Sequence, residues 1–336
     1  MPLEQQPTEP FLGDLRAHPF RLDNGLRLVV VPDPSAPVVA YHTWFGVGSA
    51  DEEPGKGGLA HLFEHMMFKR TTGYGDGEYM ERLDALGAEG LNAWTWLDQT
   101  VFVQAVPKGA LPELARLEAL RMGDLVVDDP AFASELEVVT NERRLTVDDD
   151  PDGRLSEALF HAAFAEHPYG LPTIGFMKDL ENLGPEDARG FYARWYAPDN
   201  ATIILVGDVE PAAAAAVVEK AYGHLPRSRP KRPARTPEPP QQGERRVELT
   251  LPVAADRVLL GVKVPPYTHP DTPALLVLDA ALTAGHSGRL SRRLRDRGLV
   301  ASVGSFVMPL RDPSLWLFTL AGRPGVPASV AEQALR

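Results

Sequence analysis

The chain has 336 residues, of which 44% are hydrophobic and 24% are charged, and this balance is typical of globular proteins. Its formal net charge of −12 disfavours nucleic-acid binding, which requires a basic face. Because the chain contains no cysteine, disulfides and thiolate metal sites are excluded. No apolar run approaches the about 18 residues of a membrane-spanning helix, and the polar start does not resemble a signal peptide. We therefore expect a cytoplasmic protein, with the periplasm as the alternative if a leader has been removed.

The first predicted elements are β-strands. Asp23, Asn24 and Gly25 separate two apolar runs between residues 20 and 31, and this pattern predicts a hairpin. The alternating segment from Val38 to Val47 predicts another strand.

The segment that follows, after a break at several glycines, predicts a short helix and contains an H-x-x-E-H motif formed by His61, Glu64 and His65. Residues three and four apart share a helix face, so both imidazoles and the carboxylate point the same way. Two histidines one turn apart can hold one zinc ion, and the glutamate can take a proton from a water that the metal activates. A packed or capping histidine is the plainer alternative, so a third ligand is needed to decide.

A long strand and an acidic helix come next. The segment from 91 to 106 predicts one strand that carries Asn92. The segment from 129 to 145 predicts a helix with a proline at its first position, on which Glu135 and Glu142 lie two turns apart on one face. In a chain without cysteine the third ligand must be His, Asp or Glu, and this helix offers the best candidates.

The second part of the chain begins after a proline-rich segment. Residues 226–243 contain six prolines and few apolar residues, which predicts a semi-extended linker. A strand predicted from Arg257 to Val264 then parallels the Val38 strand, a weak internal duplication. Because strands and helices do not alternate singly, the fold class is predicted as α+β.

Together these residues resemble the pitrilysin-type (M16 family) zinc metallopeptidases, a family that includes mitochondrial processing peptidase and bacterial relatives. The family pattern is H-x-x-E-H, then 76 residues, then E, and here 142 − 65 = 77, so 76 residues separate His65 from Glu142. The resemblance covers essentially the whole chain. It implies that one zinc ion is bound by His61, His65 and Glu142, that Glu64 is the general base and that Glu135 supports the site.

The resemblance also concerns substrate binding. Residues 91–95 resemble the active-site edge strand of the family, which implies that Asn92 and Ala93 hold the substrate backbone. Arg295 aligns with a family arginine that binds the substrate carbonyl, but the position of the family's tyrosine holds Ala301. This departure leaves open whether activity is reduced, and it implies a partner, either a second copy or a related chain with an Arg/Tyr pair.

We therefore predict an α+β protein of two related repeats, each an antiparallel-rich sheet packed with helices. Residues 1–225 would form the zinc-bearing peptidase domain, 226–243 the linker, and 244–336 an incomplete second domain. The implied function is a zinc-dependent endopeptidase that hydrolyses unfolded peptides. A non-catalytic structural or peptide-binding subunit of the same fold stays open as the alternative.

Overall fold

The computed structural model describes residues 4–228 and 232–335. Contacts divide the chain into two compact units, the first formed by residues 1–141 and 173–234 and the second by residues 142–172 and 235–336. The predicted domain boundaries after 225 and before 244 stay a prediction, because units defined by contacts need not coincide with folding domains. The ends of the two predicted domains, at 1–3 and 336, and residues 229–231 of the predicted linker lie outside the described residues.

Helices and strands are mixed in both units, and the predicted α+β class is confirmed. Within the described residues, no helix combines the length and apolar character that crossing a bilayer requires. The strands are β1 (Glu4–Gln5), β2 (Glu9–Pro10), β3 (Arg16–Arg21), β4 (Arg27–Pro32), β5 (Val38–Phe45), β6 (Glu89–Thr95), β7 (Thr100–Pro107), β8 (Ala201–Gly207), β9 (Arg257–Val264), β10 (Val300–Val307) and β11 (Ser314–Gly322). The helices are α1 (Leu59–Met66), α2 (Glu78–Leu86), α3 (Leu111–Gly123), α4 (Asp129–Arg143), α5 (Pro151–Ala163), α6 (Met177–Leu180), α7 (Pro185–Trp195), α8 (Pro211–Tyr222), α9 (Thr272–Thr283) and α10 (Ala328–Leu335).

The first unit contains an eight-stranded sheet in the order β1-β3-β4-β8-β5-β7-β6, with β2 paired to β3. The β4–β8 pair is parallel and starts with Arg27 opposite Thr202, whereas the other pairs are antiparallel. Because β6 ends this order, no strand among the described residues pairs with its outer edge. The sheet is therefore open at the outer edge of β6.

The predicted hairpin is confirmed, since β3 and β4 pair around the turn at Asn24 and Gly25. Gly25 has a φ of 92°, and a Cβ there would lie 2.7 Å from the Cβ of Asp199, so the turn requires glycine.

The single strand predicted from 91 to 106 is wrong, because the chain reverses between Thr95 and Thr100 to form the β6–β7 hairpin. The amide N–H of Trp96 donates to the carbonyl of Gln99 at 2.8 Å. Leu97 is buried within this turn, so the apolar pattern runs through it without the Gly or Pro that usually marks a reversal.

The second unit is built on a three-stranded antiparallel sheet in the order β10-β11-β9. Buried side chains from the sheet and from the segments at 290–294 and 331 form its apolar core. A π-helical turn at Ser291–Arg295 precedes β10. The core residues are Val264, Leu290, Leu294, Val300, Val307, Trp316, Phe318, Leu320 and Ala331.

The proline-rich segment has no helix or strand between 232 and 243. It is nevertheless anchored, because the carboxylate of Glu238 accepts hydrogen bonds from the backbone N–H groups of Ala165, Glu166 and His167 at 3.0–3.2 Å. Desolvation opposes ionisation of Glu238, but these donors and Arg245 outweigh it and lower its pKa to about 2. The ionised side chain of Glu238 therefore attaches this segment to residues 165–167.

Candidate metal centre

One face of helix α1 is buried in the first unit, and the other carries the H-x-x-E-H motif. Leu59, Leu62, Phe63 and Met66 follow the spacing i, i+3, i+4, i+7 and are all buried, so they attach the helix to the first unit. The histidines and the glutamate of the H-x-x-E-H motif lie on the remaining face and are only half-buried. The helix begins after Gly58, whose φ of 98° lets the chain turn sharply into the first residue.

Aromatic side chains that follow along α7 fix the position of α1. The ring of Phe63 lies 5.9 Å from that of Phe191, 5.7 Å from that of Tyr192 and 5.1 Å from that of Tyr196. The hydroxyl of Tyr196 lies 3.3 Å from the carbonyl oxygen of Ala60. Burial raises the pKa of this hydroxyl, so it keeps its proton and donates to the helix.

Helix α4 contributes the acidic side chains. The division between the two units falls inside its last turn, but the helix is one continuous element that ends at Arg143. Each of His61, His65 and Glu142 offers one ligand atom, and these atoms lie within 4.8 Å of one another. The two imidazole rings are 4.9 Å apart at an angle of 73°. In the described part of the chain, no other trio of His, Asp or Glu side chains gathers in this way.

These three residues fit a zinc ion. Two ligands at about 2.1 Å from one tetrahedral zinc lie about 3.4 Å apart, so small side-chain rotations would bring the observed atoms into range. Two imidazoles and one carboxylate are a donor set used by catalytic zinc sites, which keep one position for water or substrate.

Glu135 lies on α4 behind His65. Its Oε2 atom is 3.6 Å from Nδ1 of His65, and its Oε1 atom is 2.6 Å from Nζ of Lys69. His65 and Lys69 hold the pKa of Glu135 below its usual value, although desolvation acts in the opposite direction. An ionised carboxylate facing Nδ1 favours the imidazole tautomer that leaves Nε2 free to bind metal.

The predicted substrate residues lie in two different units. Asn92 and Ala93 are on the edge strand β6, where the side-chain oxygen of Asn92 accepts a hydrogen bond from the Ala93 amide at 3.0 Å. Thr95, on the same strand, donates from its hydroxyl to the Ala60 carbonyl of α1 at 3.4 Å. Arg295 belongs to the second unit, in the π-helical turn, and its role in binding substrate stays a prediction.

Two side chains near this centre, Lys69 and Glu52, were not predicted from the sequence. Lys69 lies four residues after His65, a helical spacing that could have drawn attention to it. Glu52 accepts hydrogen bonds from the backbone N–H groups of Gly58 and Ala60, and no periodic pattern in the sequence links it to the helix.

Known proteins resemble this chain over most of its length. The family model of insulinase peptidases (peptidase family M16) matches residues 27–176, and the model of the peptidase M16 inactive domain matches residues 182–336. The zinc protease PqqE of Helicobacter pylori is 34% identical over 320 residues, which cover 94% of this chain and 72% of that protein. The chain belongs to peptidase family M16.

Other M16 proteins resemble this chain in sequence and in fold. An uncharacterized zinc protease of Mycobacterium leprae is 32% identical over 93% of this chain and 70% of its own length. The crystal structure of a protease from Helicobacter pylori matches with a TM-score of 0.91 at 33% identity, over 95% of this chain and 78% of that one. Pitrilysin matches at 19% identity with a TM-score of 0.70, over 94% and 35% of the two chains, which shows a shared fold. The naming of the M16 relatives as zinc proteases supports a peptidase role for this chain.

Proposed function

We propose that this M16 chain is a zinc-dependent endopeptidase that hydrolyses unfolded peptides. The observation that carries the proposal is the gathering of one ligand atom each from His61, His65 and Glu142 within 4.8 Å. Glu64 shares the helix face of the two histidines, so its carboxylate lies on the side where a substrate would meet the metal. The relatives named zinc proteases support the same reaction.

In the proposed reaction, the zinc ion would activate water and the peptide carbonyl, and Glu64 would transfer the proton. Zinc held by these ligands would polarise a peptide carbonyl and bring the pKa of water close to 7. Glu64 accepts the proton of the attacking water on a carboxylate oxygen and then delivers it to the leaving amine. Glu135 holds the ring of His65 in one orientation throughout, because it is itself fixed by Lys69.

The open edge of β6 suits an extended substrate. A peptide that adds to a sheet edge bonds through its backbone, so it must be unfolded locally. On this proposal Asn92 and Ala93 hold the peptide backbone beside α1, whose Ala60 carbonyl already accepts from Thr95 of the same strand. The natural substrate is not specified by backbone pairing, which accepts many sequences.

The alternative function is that of a non-catalytic or peptide-binding subunit. It is favoured by Ala301, which stands on β10 where the family pattern has a tyrosine. Donors that stabilise the developing oxyanion contribute about 10²–10³-fold to the rate, so their loss would leave a weak enzyme. The complete H-x-x-E-H motif favours catalysis instead.

Two variants test the proposal. The parent chain should contain about one zinc per chain, and His65→Ala should lose it, whereas the exposed His224→Ala should retain it. Glu64→Gln should keep zinc but lower the hydrolysis of an unstructured peptide by about 10²–10⁴-fold, because an amide cannot accept the proton. Equal zinc in the parent and in His65→Ala would refute the metal assignment. Activity of Glu64→Gln within tenfold of the parent would refute the assigned base.

A further inference from the structure

Helix α1 is short, and its first turn lacks an ordinary cap. It has eight residues, and the N-cap position is occupied by Gly58, which has no side chain to accept a hydrogen bond. The first four N–H groups of any helix have no partner within it. Glu52, six residues before Gly58, meets two of them: its Oε2 accepts from the Gly58 amide at 3.0 Å and its Oε1 from the Ala60 amide at 2.8 Å.

Glu52 is itself held by a rigid segment. It directly follows the 3-10 turn at Ser49–Asp51. The N–H groups of Ser49 and Ala50 donate to the carbonyls of Trp96 and Leu97 at 3.1 and 2.9 Å. Those two carbonyls belong to the turn that joins β6 to β7, so Glu52 is fixed to the end of the edge strand.

Asp51, the residue before Glu52, holds the same segment through both of its carboxylate oxygens. Its Oδ2 atom accepts from the amide of Gly48 at 3.2 Å, and its Oδ1 atom accepts from the guanidinium of Arg232 at 2.8 Å. Gly48 leaves no room for a side chain, because a Cβ there would lie 2.2 Å from the Trp96 carbonyl oxygen. The turn and the segment are therefore in direct backbone contact.

We propose that Glu52 is a positioning residue that sets α1, and with it His61 and Glu64, against the edge strand β6. The inference rests on the proposed function, because it concerns the alignment of the metal helix with the strand that would hold the peptide. A carboxylate whose two oxygens accept from the amides of Gly58 and Ala60 fixes the direction of the helix axis as well as its start. A displacement of about 1 Å at a reacting group can lower a rate about 10²-fold.

Three variants separate this role from simple support of the fold. Glu52→Gln keeps the size of the side chain and one acceptor oxygen, and Glu52→Ala removes both acceptors. Glu53→Gln is the matched control, since this neighbouring glutamate is exposed and pairs only with Arg194 at the surface among the contacts described. For each variant we would measure zinc affinity by competition with a chromophoric chelator, kcat and KM on an unstructured peptide, and the melting temperature of the metal-free protein.

We expect zinc affinity and kcat to fall moderately in Glu52→Gln and further in Glu52→Ala. Glu52→Gln should bind zinc about tenfold more weakly and show a lower kcat with little change in KM, and Glu52→Ala should be weaker still. Glu53→Gln should match the parent in all three measurements. If Glu52→Gln melts earlier but binds zinc and turns over as the parent does, Glu52 only supports the fold and the inference is wrong.

The outcome also distinguishes this inference from the proposed function. A parent chain that binds no zinc overturns both. If the parent binds zinc but cleaves nothing, hydrolysis is refuted, while the affinities of the Glu52 variants still decide whether Glu52 positions the helix. Should Glu52→Ala fail to fold, the near-isosteric Glu52→Gln supplies the decision.

Discussion

The Nδ1 atom of His65 lies 3.6 Å from a carboxylate oxygen of Glu135, whose second oxygen is 2.6 Å from the ammonium of Lys69. Glu135 is 6% exposed, so little water competes for its oxygens. The arrangement places an ionised carboxylate behind a proposed zinc ligand, where it raises the basicity of the imidazole.

The first prediction follows from this arrangement. Glu135→Gln removes the negative charge that faces His65, and zinc affinity is expected to fall by about 10–100-fold. Glu137→Gln, on the exposed side of the same helix, is the matched control and should leave the affinity unchanged. Competition with a chelator at neutral pH measures both, and equal affinities would show that Glu135 does not support the ligand.

The second prediction concerns the start of α1. Gly58 and Gly77 are both helix N-caps with φ of 98° and 81°, and each substitution to alanine costs about 1–2 kcal/mol for the left-handed backbone. Gly58→Ala should cost more, because its Cβ would lie 2.6 Å from Leu180 and 2.8 Å from the carbonyl oxygen of Ile174, whereas nothing lies within 4 Å at Gly77.

Urea denaturation followed by tryptophan fluorescence measures this difference, because four of the five tryptophans belong to the first unit. If the two alanine variants lose equal stability, the close approach at Gly58 carries no energetic cost and the tight packing at the helix entry is wrong.

The third prediction is a dependence of stability on pH. The pKa of Glu238 is lowered to about 2 in the folded chain, against about 4.3 for an unperturbed glutamate. Its contribution is therefore fully present above pH 4.3 and is lost as the pH falls from there through 2.

Calorimetry of Glu238→Gln and the parent checks this sign. The difference in unfolding free energy should be constant between pH 5 and 7 and should shrink below about pH 4. Glu166→Gln, at an exposed position in the same loop, is the control and should show no such difference. A gap that widens toward low pH would contradict the hydrogen bonds assigned to Glu238.

The fourth prediction is that full activity needs a second polypeptide, because Ala301 replaces the family's tyrosine. We expect the isolated chain to cleave slowly and to gain activity when a related chain with an Arg/Tyr pair is added, with a homodimer as the alternative. Light scattering gives the mass, and peptidase assays across a dilution series give the dependence on assembly. If the isolated monomer cleaves as fast as any mixture, the requirement for a partner is wrong.

Local patterns were enough to predict several elements of this fold. Asn24 and Gly25 mark a hairpin because few other residues adopt the backbone that such a turn requires. The apolar stretch around His61 and His65 predicts the helix that carries them. The separation of 76 residues identified Glu142 through the family resemblance, and the structure brings that side chain to the two histidines.

Other features depend on tertiary contacts that no local pattern reports. The apolar run through Leu97 predicts a continuous strand. The chain instead reverses at Trp96–Gln99, and amides of Ser49 and Ala50, far away in sequence, stabilise that reversal. Glu52 acts on α1 through two backbone amides, and a bond to backbone imposes no residue type on its partner. The expected cytoplasmic location likewise stays a prediction.

The central position of β8 has a consequence for the order of events during synthesis. β8 lies between β4 and β5, and Arg27 pairs opposite Thr202. The two halves of the sheet are therefore joined only when residues 175 positions apart in the sequence pair. Until β8 leaves the ribosome, β4 and β5 each expose an unpaired edge that other nascent chains can join. All three proposed ligands are synthesised once Glu142 has been added, but the sheet that supports the metal centre is complete only after β8, which ends at Gly207. A chain stopped short of that strand is expected to aggregate rather than to form a smaller peptidase.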